Sequence, residues 1–532
     1  MSLTNKFLAL WLEFDEVYRE DKTAGSFKNV SELADVLAWI KRFGEDDIES
    51  CNNTKKEYGI LRIKVSVDGM LVPCEIRLNR ADDINAGYSF IKRVTNEQGE
   101  VAIQVPAGTW QLEVSHGLTV ESAYEEIEIK SGETLDRKIN LHQFIDLKKM
   151  GWYNGELHHH SIYSSPVYNG TDDVVDTPGQ VRLSMQAAGC DFGALSDHHN
   201  ILNHEEWKHE ERDNFVPVIS KEISTSNGHV MAMGVKEDVI YNIPYGSNRT
   251  EEVLRYEFVR VAQEIRDAGG IPQVNHPFSD SVSTSWQADF SDLLSAFASV
   301  EIWNGANPMI SGNGNGKAFE LWIRLLNEGM KISATAGSDT HCIKVNQYEK
   351  IKEQLYSIMK LIVQKRNHIP DNLQNRIRII EEMWNKSYPA LNNWMRMSLG
   401  TAGVRNYVYS NNDISQKKIL DAIHNGRIFI TNGPLIFPEI GGAGPGETWR
   451  SGSSTVDVNI RVWSKKMPEE ICLYLSDGQI LKKQILPEHI QIFYYCGTFT
   501  SVDVRRLNWI VCTAGTDCNN LAIANPIWLC KS

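Results

Sequence analysis

From about Gly59 to Asn140, apolar and polar positions alternate in short runs: "ILRIKVSVDG", "VPCEIRLNR", "VAIQVPAG", "TWQLEVSHG", "AYEEIEIKSG" and "LDRKINL". Alternating runs punctuated by Gly, Asn and Asp predict six or seven short antiparallel strands, packed as a β-sandwich over residues 56–148. Residues 1–55 carry a helical pattern instead, in which "SELADVLAWIKRFG" ends on Gly44 as a C-cap. From 149 the pattern changes again. Buried-looking runs ("FGALS", "FVPVIS", "VMAMGV", "IPQVN", "SVEIWN", "KISATAG") recur, several of them separated by helical stretches. One such stretch is capped by Thr177-Pro178; the others are "TEEVLRYEFVRVAQEIRDAGG" and "GKAFELWIRLLNEG". Strands alternating with helices predict parallel β-α units, an open sheet or a barrel, over 149–440. A charged helical insertion interrupts this region at about 348–399. "SQKKILDAIHNG" and "RIFITNG" add one more helix and strand, and the short strands of 441–532 predict a second β-sandwich.

Composition narrows the partners. The formal charge of -14 excludes long nucleic acid, which needs a basic face to release counterions. No apolar run reaches the ~20 residues that span a bilayer, so no membrane partner is expected. Nine scattered cysteines, none in a C-x-x-C pair, fit reduced thiols in the cytoplasm; secretion would require that a leader had been trimmed. A homo-oligomer is left open.

Candidate chemistry is concentrated. Ten of the fifteen histidines lie between His158 and His341. In "GELHHHS", His158 and His160 stand two apart, so on an extended strand both imidazoles point the same way. "ALSDHHN" offers Asp197, His198 and His199 directly after a strand. "KEISTSNGH" offers Glu222 and His229, "NHP" offers His276, and "GSDTH" offers Asp339 and His341. Parallel β-α folds carry their sites at the carboxyl ends of strands, and imidazole with carboxylate is the ligand set of zinc, manganese or iron. His116, His142, His204, His209, His368, His424 and His489 lack partners of this kind and read as structural or solvated.

The motifs "GELHHHS", "SDHHN", "KEIS…GH", "NHP" and "GSDTH" resemble those of the PHP (polymerase and histidinol phosphatase) superfamily of metal-dependent hydrolases. "VEIWNG", "LWIRLLNEGMKISATAGSDTH" and "KILDAIHNGRIFITNGPLI" are similar to its CehA/McbA-like branch. The resemblance covers roughly 60–532. It implies an α/β fold: a distorted β/α barrel flanked by a carboxypeptidase-regulatory-like N-terminal sandwich and a C-terminal sandwich. It also implies that His158, His160, Glu222 and Asp339 hold a first divalent ion, and that Glu222 bridges to a second one completed by His229 and His276. His198 and His341 then serve a third ion or the substrate. Two positions depart from the family pattern. Glu156 stands where the family has Asp, and an "SDG"-like turn is replaced by "SIYSSPVYNGTDD", so a third ion requires Asp172 or Asp173 to fold back.

With two or three divalent ions (Zn, Mn or Fe), such a site hydrolyses small anionic or ester-bearing substrates through a water activated between the ions. Asp197 or His199 is the expected proton donor to the leaving group, with the orienting of a ligand histidine as the alternative role. The first functional reading is a phosphoesterase, with Arg182, Arg324 and Arg405 as candidate phosphate clamps. The second is a carboxylic or carbamate ester hydrolase. A third, of another class, is a glycan- or polymer-binding protein using exposed aromatics among the fourteen tryptophans. The insertion at 348–399 is expected either to act as a lid or to form a hairpin for dimer contacts.

Overall fold

The computed structural model of the 532-residue chain describes residues 58–80, 90–240, 250–279, 285–286, 291–343, 362, 366–375, 377–378, 400–485, 492–515 and 520–531, apart from 169, 171, 173, 226, 227, 306, 310–313, 342 and 412. The expected helix over 1–55 and most of the insertion at 348–399 lie outside the described residues.

Residues 58–141 follow the alternating pattern. Tyr58–Val67, Met70–Leu71, Glu100–Pro106 and Thr134–Leu141 form one sheet, and Glu75–Arg80, Phe90–Val94, Gly108–Ser115 and Ala123–Ile129 form another. Leu61, Ile63 and Val65 of the first sheet share an apolar core with Ile76, Leu78, Trp110 and Leu112 of the second. Every second side chain of a strand points to the same face, so the alternation in sequence becomes one dry face per sheet.

The next sheet carries the histidine motifs. Its strands are β1 (Trp152–Glu156), β2 (Phe192–Leu195), β3 (Val216–Thr225), β4 (Gly228–Met233), β5 (Ile271–Asn275), β6 (Ser299–Asn304), β7 (Ser333–Gly337), β8 (Arg405–Tyr409) and β9 (Ile428–Thr431). They lie in the order β7-β6-β5-β4-β3-β2-β1-β8-β9. The helices are α1 (Pro178–Ala187), α2 (His204–Lys208), α3 (Glu251–Asp267), α4 (Gly314–Asn327) and α5 (Gln416–His424). Thr177 and Gln180 form the capping box that starts α1. Leu254, Phe258, Val261 and Ile265 of α3, and Ala318, Trp322 and Leu325 of α4, recur at helical spacing and pack into the same core as Val274 and Val300 of the sheet. Trp303 and Trp322 are fully buried there, as core residues and not as a stacking platform.

Parallel pairing holds for β1–β2, β2–β3, β5–β6 and β6–β7. It fails at β4, which is antiparallel to both β3 and β5. Thr225 pairs with Gly228 across the connection, and so short a link makes a hairpin, whereas a parallel neighbour needs a crossover. Among the described residues the ladder does not close into a barrel. The end strand β7 meets the segments around β1 and β8 through other contacts. Beyond β1 and β7, His159 and Thr340 form a parallel bridge, and Asp339 N–H donates to His158 O at 2.9 Å. The Asn406 side chain bonds both backbone groups of Ala336 (3.0 and 2.7 Å), and Asn525 does the same for Ala334 (2.8 and 2.9 Å). Side-chain amides thus satisfy an edge that a further strand would otherwise cover.

On the other side β9 pairs with Ala522–Ala524, and the sheet runs on through Trp509–Ala514, Glu470–Leu475 and Ile480–Gln484. A three-stranded sheet (Leu435–Glu439, Thr455–Ser464, Phe493–Asp503) shares a core with these strands. Backbone ladders therefore join the last ninety or so residues to the histidine-bearing sheet. No helix among the described residues is long and apolar enough to cross a membrane.

Candidate metal centre

The carboxylate of Glu222 sits at the middle of the histidine cluster. Its Oε1 is 3.1 Å from His229 Nδ1, 3.2 Å from His276 Nε2 and 3.4 Å from His158 Nε2. Its Oε2 is 3.2 Å from His198 Nδ1 and 3.6 Å from His160 Nε2. The topology explains the convergence. Glu222 lies on β3 and His276 directly follows β5, while His229 is the second residue of β4, whose antiparallel direction brings its start beside those positions. His158 and His160 follow β1 in extended chain. The alternation predicted for them holds: His159 between them turns away, toward His160 O (2.8 Å) and Thr401 Oγ1 (3.2 Å).

Asp339 comes from the loop after β7, with Oδ1 3.2 Å from His158 Nε2 and 3.1 Å from His160 Nε2. This approach requires Gly337, where a Cβ would lie 2.3 Å from His158 Cβ and 2.6 Å from Glu301 Oε1. On the open side Asp172 folds back, its Oδ2 2.8 Å from His198 Nε2 and 3.2 Å from His341 Nε2. This is one of the two acids that the altered turn left as candidates; Asp173 lies outside the described residues. Asp172, Asp339 and His341 remain 26, 25 and 36% exposed at their side chains, whereas His158, His160 and Glu222 are buried. The cluster opens on that side.

Four ligand groups have their donor atoms within 4.8 Å of one another: His158-His160-Asp339, Glu222-His229-His276, His160-Asp172-His198-His341 and His158-His276-Glu301. The residues fit divalent ions in chemistry as well as in spacing. His158 Nε2 is buried without a hydrogen-bond partner, an orphan donor or acceptor that would be costly unless something else bound it. Ligand atoms about 2 Å from a common tetrahedral ion are about 3.4 Å apart, close to the separations seen here.

The backbone is strained where the cluster is built. Six described non-glycine residues have positive φ, and His199 (65°), His276 (22°) and Asp339 (53°) are three of them. Such conformations cost of order 1–3 kcal/mol each and persist where the surroundings over-determine them.

Sequence reasoning missed Glu301. Buried on β6, it accepts from His158 Nδ1 (3.0 Å), from His276 N–H (3.1 Å) and from Asn304 Nδ2 (3.2 Å). Its partnership with Nδ1 turns His158 Nε2 toward the cluster centre. The available signal was a single acid inside the otherwise apolar run "SVEIWN". Ser164 does the same for His160, accepting from Nδ1 (2.9 Å) while its own hydroxyl donates to Asp197 Oδ1 (2.9 Å).

Asp197 is fully buried. Besides Ser164 it accepts from Ser161 N–H (2.6 Å), Ser161 Oγ (2.7 Å) and Asn203 Nδ2. Its carboxylate is committed to holding these loops. His199 is exposed at the mouth, its ring 5.7 Å from that of His198. His204 is buried, with Nε2 on Ser220 O at 3.1 Å. The three arginines weighed as clamps lie elsewhere: Arg182 is paired with Glu97 and Glu210 (2.7 and 2.6 Å), Arg405 donates to Ala188 O (2.6 Å), and Arg324 is exposed near the end of α4.

Burial raises the carboxyls of Glu222 and Asp339, but the surrounding imidazoles outweigh it and hold both well below the usual range. Burial pulls His341 down, yet Asp172 and Asp339 raise it to about 9. Without ions the cluster therefore keeps its acids charged and carries protons that incoming cations would displace.

Neither the family models nor the curated proteins compared with the chain gave a match. Solved structures did. A two-domain protein from Bacteroides vulgatus, described as containing a predicted PHP-like metal-dependent phosphoesterase, aligns over 71% of this chain and 94% of its own at 11% identity and a TM-score of 0.32. An amidohydrolase from Chromobacterium violaceum, solved with bound sulfate and no metal, aligns over 37% of this chain and 96% of its own at 14% identity and a TM-score of 0.24. Both scores are below 0.5.

Proposed function

We propose that the chain is a metal-dependent hydrolase acting on a small phosphate ester. The observation that carries this reading is the placement of Glu222, one buried carboxylate facing five imidazoles, within ligand groups that share His158, His160 and His276. His158, His160 and Asp339 would hold one divalent ion, Glu222, His229 and His276 a second, and Asp172, His198 and His341 a third. Bound there, such ions supply Lewis acidity toward an ester oxygen and make a coordinated water acidic near neutral pH.

The chain's own residues fix this arrangement. Glu301 and Ser164 hold His158 and His160 in the tautomer that leaves Nε2 free for a cation. Asp197 acts one step further out as a positioning residue, through Ser164. His199 is the exposed imidazole at the rim, placed to pass a proton to a departing alcohol.

Charge favours the phosphoester reading over the carboxylic or carbamate ester. No arginine contacts the ligand cluster among the described residues, so an anionic substrate must be met by the ions themselves. Three divalent ions exceed the charge of the four carboxylates Glu222, Asp339, Asp172 and Glu301 and suit a phosphate dianion. Two ions only balance those carboxylates and suit a neutral ester. Metal analysis of the purified protein, followed by p-nitrophenyl phosphate, p-nitrophenyl acetate and a naphthyl carbamate assayed in manganese and in zinc, tests both points. Three ions with phosphatase activity is the expected result. Two ions with activity only on the acetate or carbamate would replace it with the second reading, and no bound ion would remove both.

A further inference from the structure

Behind the metal centre, a cleft of about 540 Å³ lies where the N-terminal sheets, the histidine-bearing sheet and the C-terminal strands meet. Four cations line it; Arg77 is held by Glu75 and Lys466 is exposed, which leaves two. Arg405, which opens β8, is 6% exposed; its Nη1 donates to Ala188 O, and its buried Nε has no hydrogen-bond partner. Lys465 is half-buried, and its Nζ donates to Gly117 O (2.7 Å) and Ser122 Oγ (3.1 Å). Among the described residues neither cation has a carboxylate partner. The acids on the same walls are engaged otherwise or stand apart. Glu75 is held by Arg77 and Lys92 (2.5 and 2.7 Å), Glu113 accepts from Tyr124 (3.2 Å), and Glu121 pairs with neither cation.

Burying a guanidinium without a carboxylate partner is expensive, and a guanidinium N–H left unbonded adds to the cost. An oxyanion in the cleft would supply the missing counter-charge, because charge-assisted bonds from Arg and Lys to phosphate or carboxylate are the strong ones. The cleft is of the size that takes small organic ligands. We propose that it binds the phosphate or carboxylate group of a small molecule on Arg405 and Lys465, as a site separate from the metal centre. Burial, and then the charge of Arg405, draw the Lys465 ammonium down to about 8, against the opposite pull of Glu113 and Glu121. The two sites share one wall: Thr401 lines the cleft, and its Oγ1 meets His159 Nε2 at 3.2 Å, between two of the proposed ligands.

Isothermal titration of the full-length protein with inorganic phosphate and, separately, with succinate tests this and distinguishes the two anions. At least one of them should bind the wild type. Binding should persist in His158→Ala, which separates the cleft from the metal centre. It should weaken at least about tenfold, or 1.4 kcal/mol, in Lys465→Gln and be retained in Lys465→Arg, which keeps the charge. Circular dichroism establishes that each variant is folded. Equal affinity in the wild type and Lys465→Gln, loss in His158→Ala, loss in both Lys465 variants, or no binding of either anion up to about 10 mM would each overturn the proposal.

Discussion

The Glu156 carboxylate accepts the backbone N–H of Ala402 at 2.8 Å, across 246 positions of sequence. The same group accepts from the N–H of Leu157, His158 and Ser338, each at 3.1 Å. One fully buried acid therefore ties together the loop that carries His158 and His160, the loop that carries Asp339 and the segment that leads into β8. It touches no ligand side chain, so its role is to hold three backbones in register. Glu156→Gln replaces an acceptor on one side with an NH2 group that faces a donor. The expected cost is about 1–3 kcal/mol, seen as a lower thermal midpoint, together with reduced metal content. An unchanged midpoint with full metal content would refute the role.

Asp172 and Asp339 serve different ligand groups, and their variants should separate. Asp172 pairs with His198 and His341; Asp339 stands beside His158 and His160. Asp172→Asn should lose one ion per chain, keep the other two and lower phosphatase kcat by about 100-fold or more. Asp339→Asn should lose ions from the deeper group as well. Elemental analysis of the two purified variants checks this, and equal metal loss in both would contradict the grouping.

Much of the centre was legible because metal ligands are local in sequence motif even when they are distant in space. Strand ends followed by His, Asp or Glu marked where side chains could converge, and His158 and His160 kept the predicted two-residue phase. Non-local features were not legible. Glu301 and Ser164 carry no motif; their value comes from which imidazole nitrogen they face, which only the fold determines. The direction of β4 depended on a short connection within "STSNGH", easily read as a loop before a separate strand. The joining of the last strands to β9 could not be read from alternation alone, because a period of two fixes a strand's faces but not its neighbours.

Glu301 supplies a test of that invisible layer. Glu301→Gln keeps the shape of the side chain but removes the charge that pairs with His158 Nδ1–H. Partners of this kind typically contribute 10–100-fold in metal affinity. Competition with a chromogenic chelator should show about that loss, with little change in the far-ultraviolet circular dichroism. Unaltered affinity would mean that His158 is held by packing alone.

The N-terminal sheets contain an ion pair whose pH dependence can be worked out. Glu75 lies 2.7 Å from Lys92, their side chains 8 and 3% exposed, and 2.5 Å from Arg77. Burial pushes the Glu75 carboxyl up, but Arg77 and Lys92 outweigh it and lower it from 4.5 to about 2. A carboxyl lowered by folding stabilises the folded state fully above its unfolded value, and the contribution is lost as pH falls toward the folded one. The window is therefore between pH 4.5 and about 2. Glu75→Gln leaves Lys92 buried without its counter-charge, which costs about 3–5 kcal/mol near neutral pH. Denaturant titrations of wild type and variant should show that gap at pH 7 and a smaller one at about pH 3, where the unfolded chain takes up a proton that the folded carboxylate does not. A gap that stayed constant across this range would show that the carboxylate's charge is not what stabilises the contact.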